Sequence, residues 1–197
     1  MSKGEATRQR IIELAAPLFT QRGFAGCSMQ DILEATGLQK GGIYRHFSGK
    51  EELAAEAFRY SLSQAVKLRT PEAGPAARAG DLLRGFIEQF VTEPSPIRGG
   101  CPILNTAIDS DDGNPTLRDL AREGLRSWRK RIADVVREGV ARNEITPGTD
   151  PRALANTIIA TLEGALMISR LESSRTALHD ARASLEDLVK RVTLPQN

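Results

Sequence analysis

Near residue 30 the sequence encodes two short helices separated by one tight turn. Ser28 and Asp31 have the spacing of a capping box, in which each side chain accepts the backbone N–H of the other residue. The first helix is predicted to end at Gly37, because glycine readily adopts the left-handed conformation that closes many helices. A second short helix is predicted from about Gln39 to Phe47. This pattern predicts a helix-turn-helix.

The rest of the chain also carries helical periodicity. Over residues 7–22 apolar side chains recur at intervals of three and four, and Thr7 is expected to cap this helix and Gly23 to end it. Pro17 is expected to bend the helix without breaking it. A longer helix is predicted over 50–69. No segment shows sustained two-residue alternation, so the sequence predicts an all-α fold of about nine helices.

Composition bounds the class of protein. The chain has 197 residues and a net charge of +2, and its two cysteines and two histidines are scattered. We therefore expect no disulfide framework, no metal site and no cofactor. No apolar run approaches the length of a membrane span, which favours a cytoplasmic protein without a membrane partner. The predicted organisation is an N-terminal helix-turn-helix domain over 1–49 and a larger helical domain over 50–197.

Positive charge is concentrated where the helix-turn-helix is predicted. The first fifty residues contain seven Lys and Arg against four Asp and Glu, and the remaining chain carries a net charge of minus one. A charge surplus by itself usually marks only a solvated surface. Its coincidence with a helix-turn-helix favours contact with a duplex phosphate backbone.

Residues 37–53 read GLQKGGIYRHFSGKEEL. This stretch, together with Gly23-Phe24, Ser28 and Ile32 before it, resembles the TetR family of bacterial transcriptional regulators. The resemblance implies a three-helix DNA-binding module, a helical ligand-binding domain, and a homodimer that reads a palindromic operator. Cys27 stands where the family usually has Thr, and Gln39 where the recognition helix commonly begins with Ser or Thr; these departures put one phosphate contact and the base preference in question.

The candidate DNA-contacting residues lie on and around the second short helix. Gly41 and Gly42 each lower helix propensity by about 1 kcal/mol relative to Ala, which is understandable if the backbone has to approach a groove closely. We predict base readout by Gln39 and Lys40, and contacts to phosphates from a larger set. The full set of candidates is Ser28, Gln39, Lys40, Gly41, Gly42, Tyr44, Arg45, His46 and Lys50.

Two of these candidates have a purely structural alternative. The Tyr44 ring could pack on the first helix, and His46 could be a hydrogen-bonded structural residue. Ile43 and Phe47 are assigned to the core, because they lie four residues apart and burial of such side chains contributes roughly 1.5 to 3 kcal/mol each.

The resemblance also implies an effector pocket, and apolar residues of the C-terminal part could line a cavity between the middle helices, although helical apolar stripes are more often ordinary core. Trp128, the only tryptophan, is the best spectroscopic probe of this region. The effector itself is not identified by the sequence. The candidate lining residues are Phe86, Phe90, Cys101, Ile103, Leu104, Ile108, Trp128, Ile158 and Leu162.

Cys101 supports an alternative function. It lies at a predicted helix start beside Arg98, where the helix dipole and the guanidinium would favour thiolate. The function that the resemblance implies is a ligand-responsive repressor that a small-molecule effector releases from its operator. A thiol-based redox or electrophile sensor is the alternative, and a buried structural cysteine is the simpler interpretation of Cys101.

No catalytic signature is present, so we expect no enzyme activity. An enzyme that pairs a cysteine with a histidine lacks any local arrangement of the two, and an adaptor without DNA binding would leave the N-terminal motif unexplained. Asp109, Asp111 and Asp112 lack the later glutamate of a calcium loop and are interpreted as a solvated loop.

The resemblance to the TetR family implies that the last two helices form the dimer surface, and the sequence permits it. Their apolar residues are too numerous for one narrow stripe, and Gly164 would let a second helix approach closely. The residues that carry this prediction are Ala155, Ile158, Ile159, Leu162, Ala165, Leu166, Ile168, Leu185, Leu188 and Val192.

Overall fold

The computed structural model describes residues 2–71, 74, 77–110 and 113–195, and this part of the chain is all-α. It contains nine helices and no strand, which confirms the predicted fold class. The helices are α1 Lys3–Gly26, α2 Met29–Thr36, α3 Lys40–Tyr44, α4 Lys50–Arg69, α5 Ala79–Thr92, α6 Pro102–Ser110, α7 Pro115–Ala141, α8 Pro151–Leu171 and α9 Thr176–Val192.

The helices form two compact units. The first comprises Met1–Lys67 and Ser95–Gly124, and the second comprises Leu68–Pro94 and Leu125–Asn197. The first unit therefore holds α1 to α3, most of α4, α6 and the start of α7. Packing thus groups α6 with the helix-turn-helix, whereas the functional division at residue 49 remains a prediction.

Helix α1 begins earlier than the sequence predicted. Its N-cap is Ser2, whose hydroxyl accepts the Glu5 N–H while the Glu5 carboxylate accepts the Ser2 N–H. The expectation of a Thr7 cap is wrong, because this capping box lies five residues upstream and Thr7 instead donates its hydroxyl to the Lys3 carbonyl. The helix continues through Pro17. At Gly23 it is interrupted by a residue with φ 72° and ψ 174°, and helical geometry then resumes to Gly26.

The helix-turn-helix has the predicted local signals. Ser28 and Asp31 form a capping box, and Gly37 closes α2 in the left-handed conformation with φ 68°. Hydrogen bonds from the Ser28 hydroxyl and backbone lower the pKa of Asp31 to about 2, with a smaller contribution from the Arg22 guanidinium. Helix α3 is shorter than expected and ends at Tyr44. After Tyr44 the chain continues as a turn, in which the Ile43 carbonyl accepts the N–H groups of both His46 and Phe47.

A small apolar core holds this module together. It is assembled from α1, α2, α3 and α4. It includes Ile43 of α3 and Phe47 of the turn that follows, the two residues that the sequence assigned to the core. Cys27 is also fully buried in it, and burial raises the pKa of the thiol. The buried members are Ile11, Ile12, Ala15, Cys27, Ile32, Ile43, Phe47 and Leu53.

The second unit has its own, larger core. Helix α9 packs against α8 and α5, and the inner faces of these helices close on the second half of α7. Helix α8 is long and apolar enough by composition to cross a membrane. Its buried residues nevertheless belong to this core, which explains its apolar character. They include Leu154, Ala155, Ile158, Ile159, Leu162 and Ala165.

The end of the described chain is fastened to the loop before α8. Ile145 and Thr193 form an isolated antiparallel bridge. The Thr146 N–H donates to the Val192 carbonyl at 2.8 Å, and the Leu194 N–H donates to the Glu144 carbonyl at 2.8 Å. These bonds attach the C-terminal end of α9 to residues 144–146.

The Asp31 cap predicts an acid-dependent contribution to stability. Because the pKa of Asp31 in the folded protein is about 2, below its ordinary value of 3.8, its charge stabilises the folded state fully at pH above 4. This contribution is lost as the pH falls from about 4 to about 2. The difference in unfolding free energy between wild type and Asp31→Asn, measured by denaturant titration, should therefore shrink across that window. A difference that stays constant from pH 7 to pH 2 would contradict the assignment.

Candidate nucleic-acid interface

Helix α3 is packed from one side only. Ile43 and Phe47 are 1% and 2% exposed, whereas Tyr44 is 43% exposed. Gln39, at the N-cap, and Lys40 are also exposed. The core thus fixes the inner side of this segment and leaves polar side chains on the outside. Gly41 and Arg45 are exposed as well, while Gly42 and His46 are half-buried.

The two glycines of α3 are not required by the fold. Neither has a positive φ. A Cβ atom added to Gly41 would have no neighbour within 4 Å, and one added to Gly42 would meet only Leu38, at an ordinary 3.5 Å. The missing side chains therefore leave an accessible stretch of helix backbone, which suits close approach by an external partner.

Lys40 and Tyr44 form a pair on this surface. The Lys40 ammonium lies 5.8 Å from the centroid of the Tyr44 ring, within the range of a cation–π contact. One phenolic hydroxyl and one ammonium are thereby presented together.

Ser28 is exposed, but its hydroxyl is already used. It donates to the Asp31 carboxylate at 2.6 Å and accepts the Asp31 N–H at 3.1 Å. A contact from this hydroxyl to phosphate would have to replace the first of these bonds. The N-terminal dipole of α2 stays at this surface.

Lys50 begins α4 and is held by an aromatic ring. Its Nζ lies 4.3 Å from the centroid of the Phe24 ring. The start of α4 is fixed by Glu52, whose carboxylate accepts the Ser48 N–H and hydroxyl at 2.7 and 2.8 Å. The Ser48 N–H is the main cause of the lowered pKa of Glu52. The sequence analysis selected Lys50 but did not predict its contact with the Phe24 ring.

Part of the N-terminal charge surplus is neutralised within the unit. Arg8 lies 3.6 Å from carboxylate oxygens of both Glu52 and Glu56. Arg22 also forms an ion pair with Asp31 at 2.5 Å, but Asp31 is already among the four acidic residues subtracted in that surplus, whereas Glu52 and Glu56 are not. The excess of basic residues therefore overstates the charge available to a phosphate backbone.

Asp109 has a role that the sequence did not indicate. Its assignment to a loop is wrong, because it belongs to α6; the residue is exposed, and its carboxylate accepts the Phe24 N–H at 2.6 Å. The two residues are 85 positions apart, so no local sequence signal could have found the contact. Asp111 and Asp112 lie outside the described residues.

The proposed effector-pocket residues fall in different units. One group shares the apolar core of the second unit, where the Phe90 and Trp128 rings stack with centroids 5.6 Å apart. That group is Phe86, Phe90, Trp128, Ile158 and Leu162. The first unit contains the others, and of these Ile108 is 66% exposed. They are Cys101, Ile103, Leu104 and Ile108. Their role as a pocket lining stays a prediction.

Cys101 directly precedes α6 and is 4% exposed. An oxidant or electrophile has to reach the sulfur, so this burial gives the thiol-sensor alternative no support.

Family models match most of the chain. A model described as bacterial regulatory proteins, tetR family, matches residues 11–57, which include α2, α3 and the start of α4. A second, described as tetracyclin repressor-like, C-terminal domain, matches residues 79–185. The chain belongs to the TetR family. It is a transcriptional regulator with a helix-turn-helix DNA-binding domain, and the exposed surface of α3 lies in that domain.

Relatives of this TetR-family regulator are similar over nearly its whole length. The crystal structure of a TetR regulator from Chloroflexus aurantiacus J-10-FL is 43% identical, with a TM-score of 0.93 over 99% of this chain and 100% of that one. A TetR regulator from Cytophaga hutchinsonii is 35% identical, with a TM-score of 0.91 over 100% and 99%. The transcriptional repressor DhaR of Mycobacterium sp. strain GP1 is 25% identical over 87% of this chain and 86% of its own.

The open backbone of α3 predicts opposite effects of Gly41→Ala on folding and on binding. Because no protein atom opposes the new methyl group, the variant should be more stable to unfolding by up to about 1 kcal/mol. Its affinity for a duplex selected from a random pool should fall by about tenfold, since the methyl group would obstruct close approach.

Gly4→Ala is the matched control for this change. Gly4 is also exposed and helical, but it lies in the first turn of α1. It should gain stability without loss of DNA affinity. Unchanged DNA binding by Gly41→Ala would show that α3 does not approach DNA through this backbone.

Lys40 and Lys50 should affect binding differently. Lys40→Ala should relax sequence preference, with a loss of about 1 to 3 kcal/mol on the selected duplex and little on random DNA. Lys50→Ala should weaken all duplexes and reduce the salt slope by about one. Gel shifts over a salt series distinguish the two, and equal losses on both DNAs for both variants would refute this division of roles.

Proposed function

We propose that this regulator is a homodimeric, ligand-responsive repressor that binds a palindromic operator and is released by a small-molecule effector. Repression is supported by the similarity to DhaR, whose name identifies it as a transcriptional repressor. A regulator of chromosomal DNA in a bacterium would act in the cytoplasm. The observation that carries the dimer, and with it the palindrome, is the outer face of α8.

The outer face of α8 is apolar at helical spacing. Met167 and Leu171 are 50% and 80% exposed, and Ile168 between them is 41% exposed. Gly164, one turn earlier, has open space where a Cβ atom would lie. Exposed large apolar side chains beside an open glycine favour a second helix packing there, and a twofold axis would place the same face of another copy against it.

Most residues that the sequence assigned to the dimer surface lie elsewhere. Ala155, Ile158, Ile159, Leu162, Ala165 and Leu185 are buried in the core of their own unit. The apolar stripe on α8 is therefore wide because it combines an inner face, which packs on the core, with an outer face that is exposed. Of the predicted set, Ile168 lies on the exposed one.

A twofold dimer explains how one short helix could specify a target. Five residues of α3 can read only a few base pairs. Two copies, with recognition helices about 34 to 36 Å apart, would read two half-sites one turn of duplex apart.

Ligand response requires an effector that binds the non-DNA-binding state more tightly. We place its site among the apolar residues of the C-terminal region, where Phe90 and Trp128 stack. Occupancy would shift α4 and with it the spacing of the two recognition helices.

Charge on the α8 face should abolish both dimerisation and operator binding. Met167→Asp and Leu171→Asp should elute as folded monomers, because an aspartate cannot be buried unpaired in an apolar interface. Their operator affinity should fall about a hundredfold or more, since the half-sites would no longer be linked. Light scattering and gel shifts on the DNA flanking the gene measure the two effects.

Ile108→Asp provides the matched control, because it places the same charge on a similarly exposed apolar residue outside α8. It should remain dimeric. A dimer that survives both α8 variants would refute this interface.

The effector site has a separate test. In the same gel-shift assay, a compound that changes Trp128 fluorescence should release the wild-type dimer from the operator. Release without any such change would place the effector elsewhere.

A further inference from the structure

Helix α1 lacks one of its own hydrogen bonds at Gly23. In an α-helix the Phe24 N–H would donate to the Thr20 carbonyl four residues earlier. Gly23 lies between these two residues in the sequence, and its non-helical conformation, with φ 72° and ψ 174°, interrupts the helix there. Both groups are instead satisfied by side chains of α6.

The two α6 residues that replace this bond lie one helical turn apart. The Asn105 amide donates to the Thr20 carbonyl at 2.9 Å, and the Asp109 carboxylate accepts the Phe24 N–H at 2.6 Å. The Asn105 amide thus replaces the N–H donor that the Thr20 carbonyl has lost, and the Asp109 carboxylate replaces the acceptor that the Phe24 N–H has lost. Helix α6 is fastened to the backbone on both sides of the kink.

Only glycine fits at position 23 in this arrangement. A Cβ atom there would lie 2.3 Å from Asp109 Oδ1 and 2.7 Å from Asp109 Cγ. The positive φ independently disfavours other residues. The kink and the approach of Asp109 therefore depend on the same residue.

Phe24 connects this attachment to the DNA-binding surface. Its backbone N–H is held by Asp109, and its ring lies 4.3 Å from the Lys50 ammonium. The ring also stacks with Phe19, with centroids 6.5 Å apart. Phe24 is thus fixed by α6 and in turn fixes the side chain of Lys50.

We propose that Asn105, Asp109 and Phe24 are positioning residues for the phosphate contact of Lys50, so that a displacement of α6 weakens DNA binding directly through this contact. The inference rests on the proposed contact of Lys50 with phosphate. It adds a connection to the DNA backbone that does not pass through the spacing of the two recognition helices.

The test uses the full-length protein and a random-sequence duplex, so that neither an operator nor an effector is needed. Binding is measured by fluorescence anisotropy over a salt series for wild type, Lys50→Met, Phe24→Leu and Asp109→Ala. Each single variant should bind about two- to fivefold more weakly at fixed salt, the range of one exposed cation–π contact. Lys50→Met should also reduce the salt slope by about 0.9.

The decisive measurement is the same pair of substitutions made in the Lys50→Met background. Phe24→Leu and Asp109→Ala should cause no further loss there, because both act through Lys50. In the wild-type background, the single variants Phe24→Tyr, which keeps the ring, and Asp109→Asn, which keeps an acceptor oxygen, should retain most of the wild-type affinity.

Phe58→Leu is the matched control for the loss of a ring. Phe58 and Phe24 line the same small cavity, of about 20 Å³, but the contact with Lys50 is made by Phe24. Phe58→Leu should leave the salt slope unchanged. If Asp109→Ala does not fold, the Phe24 variants test the same coupling.

Two results would overturn the proposal, and they are distinguishable. Equal losses in the wild-type and Lys50→Met backgrounds would show that Phe24 and Asp109 act independently of Lys50. Wild-type binding and slope in Lys50→Met itself would show that Lys50 does not contact phosphate, and would remove the premise taken from the proposed function.

Discussion

The recognition surface depends on the burial of α3 from one side. Ile43 and Phe47 insert into a core supplied by α1, α2 and α4, and this burial fixes a helix of five residues that has too few internal hydrogen bonds to be stable alone. The opposite side then needs no protein contacts. Gly41 and Gly42, which both lower helix propensity, are tolerated there because the core holds the segment in place.

Local features of the fold could be predicted from the sequence, and distant contacts could not. The Ser28 capping box and the Gly37 terminus depend on residues within a few positions, and both are present as predicted. The α4 bounds agree for the same reason. The attachment of Asp109 to Phe24 joins residues 85 positions apart, and a carboxylate near a chain turn resembles any solvated aspartate. Six of the residues that the sequence assigned to the dimer surface are buried in the core of the second unit, because an apolar pattern does not reveal which side of a wide stripe faces the protomer's own core.

Charge in the N-terminal region has two uses. Arg8 and Arg22 pair with carboxylates and so join helices within the unit, and Arg8 also lies over the Phe47 ring. Lys40 and Lys50 lie over aromatic rings at the surface. A ring holds an ammonium without neutralising it, so the charge stays available to a phosphate. A carboxylate partner would cancel it. The choice of partner, and not the number of basic residues, sets the electrostatic character of this surface.

The separation between the inner and outer sides of α3 has an evolutionary consequence. Gln39 and Lys40 contribute nothing to the buried cluster, so replacing them scarcely changes the free energy of folding. After gene duplication, such positions can vary while the scaffold persists. If these positions read bases as predicted, a new target sequence is reachable through single substitutions that each leave a folded protein, which favours the divergence of many regulators from one architecture.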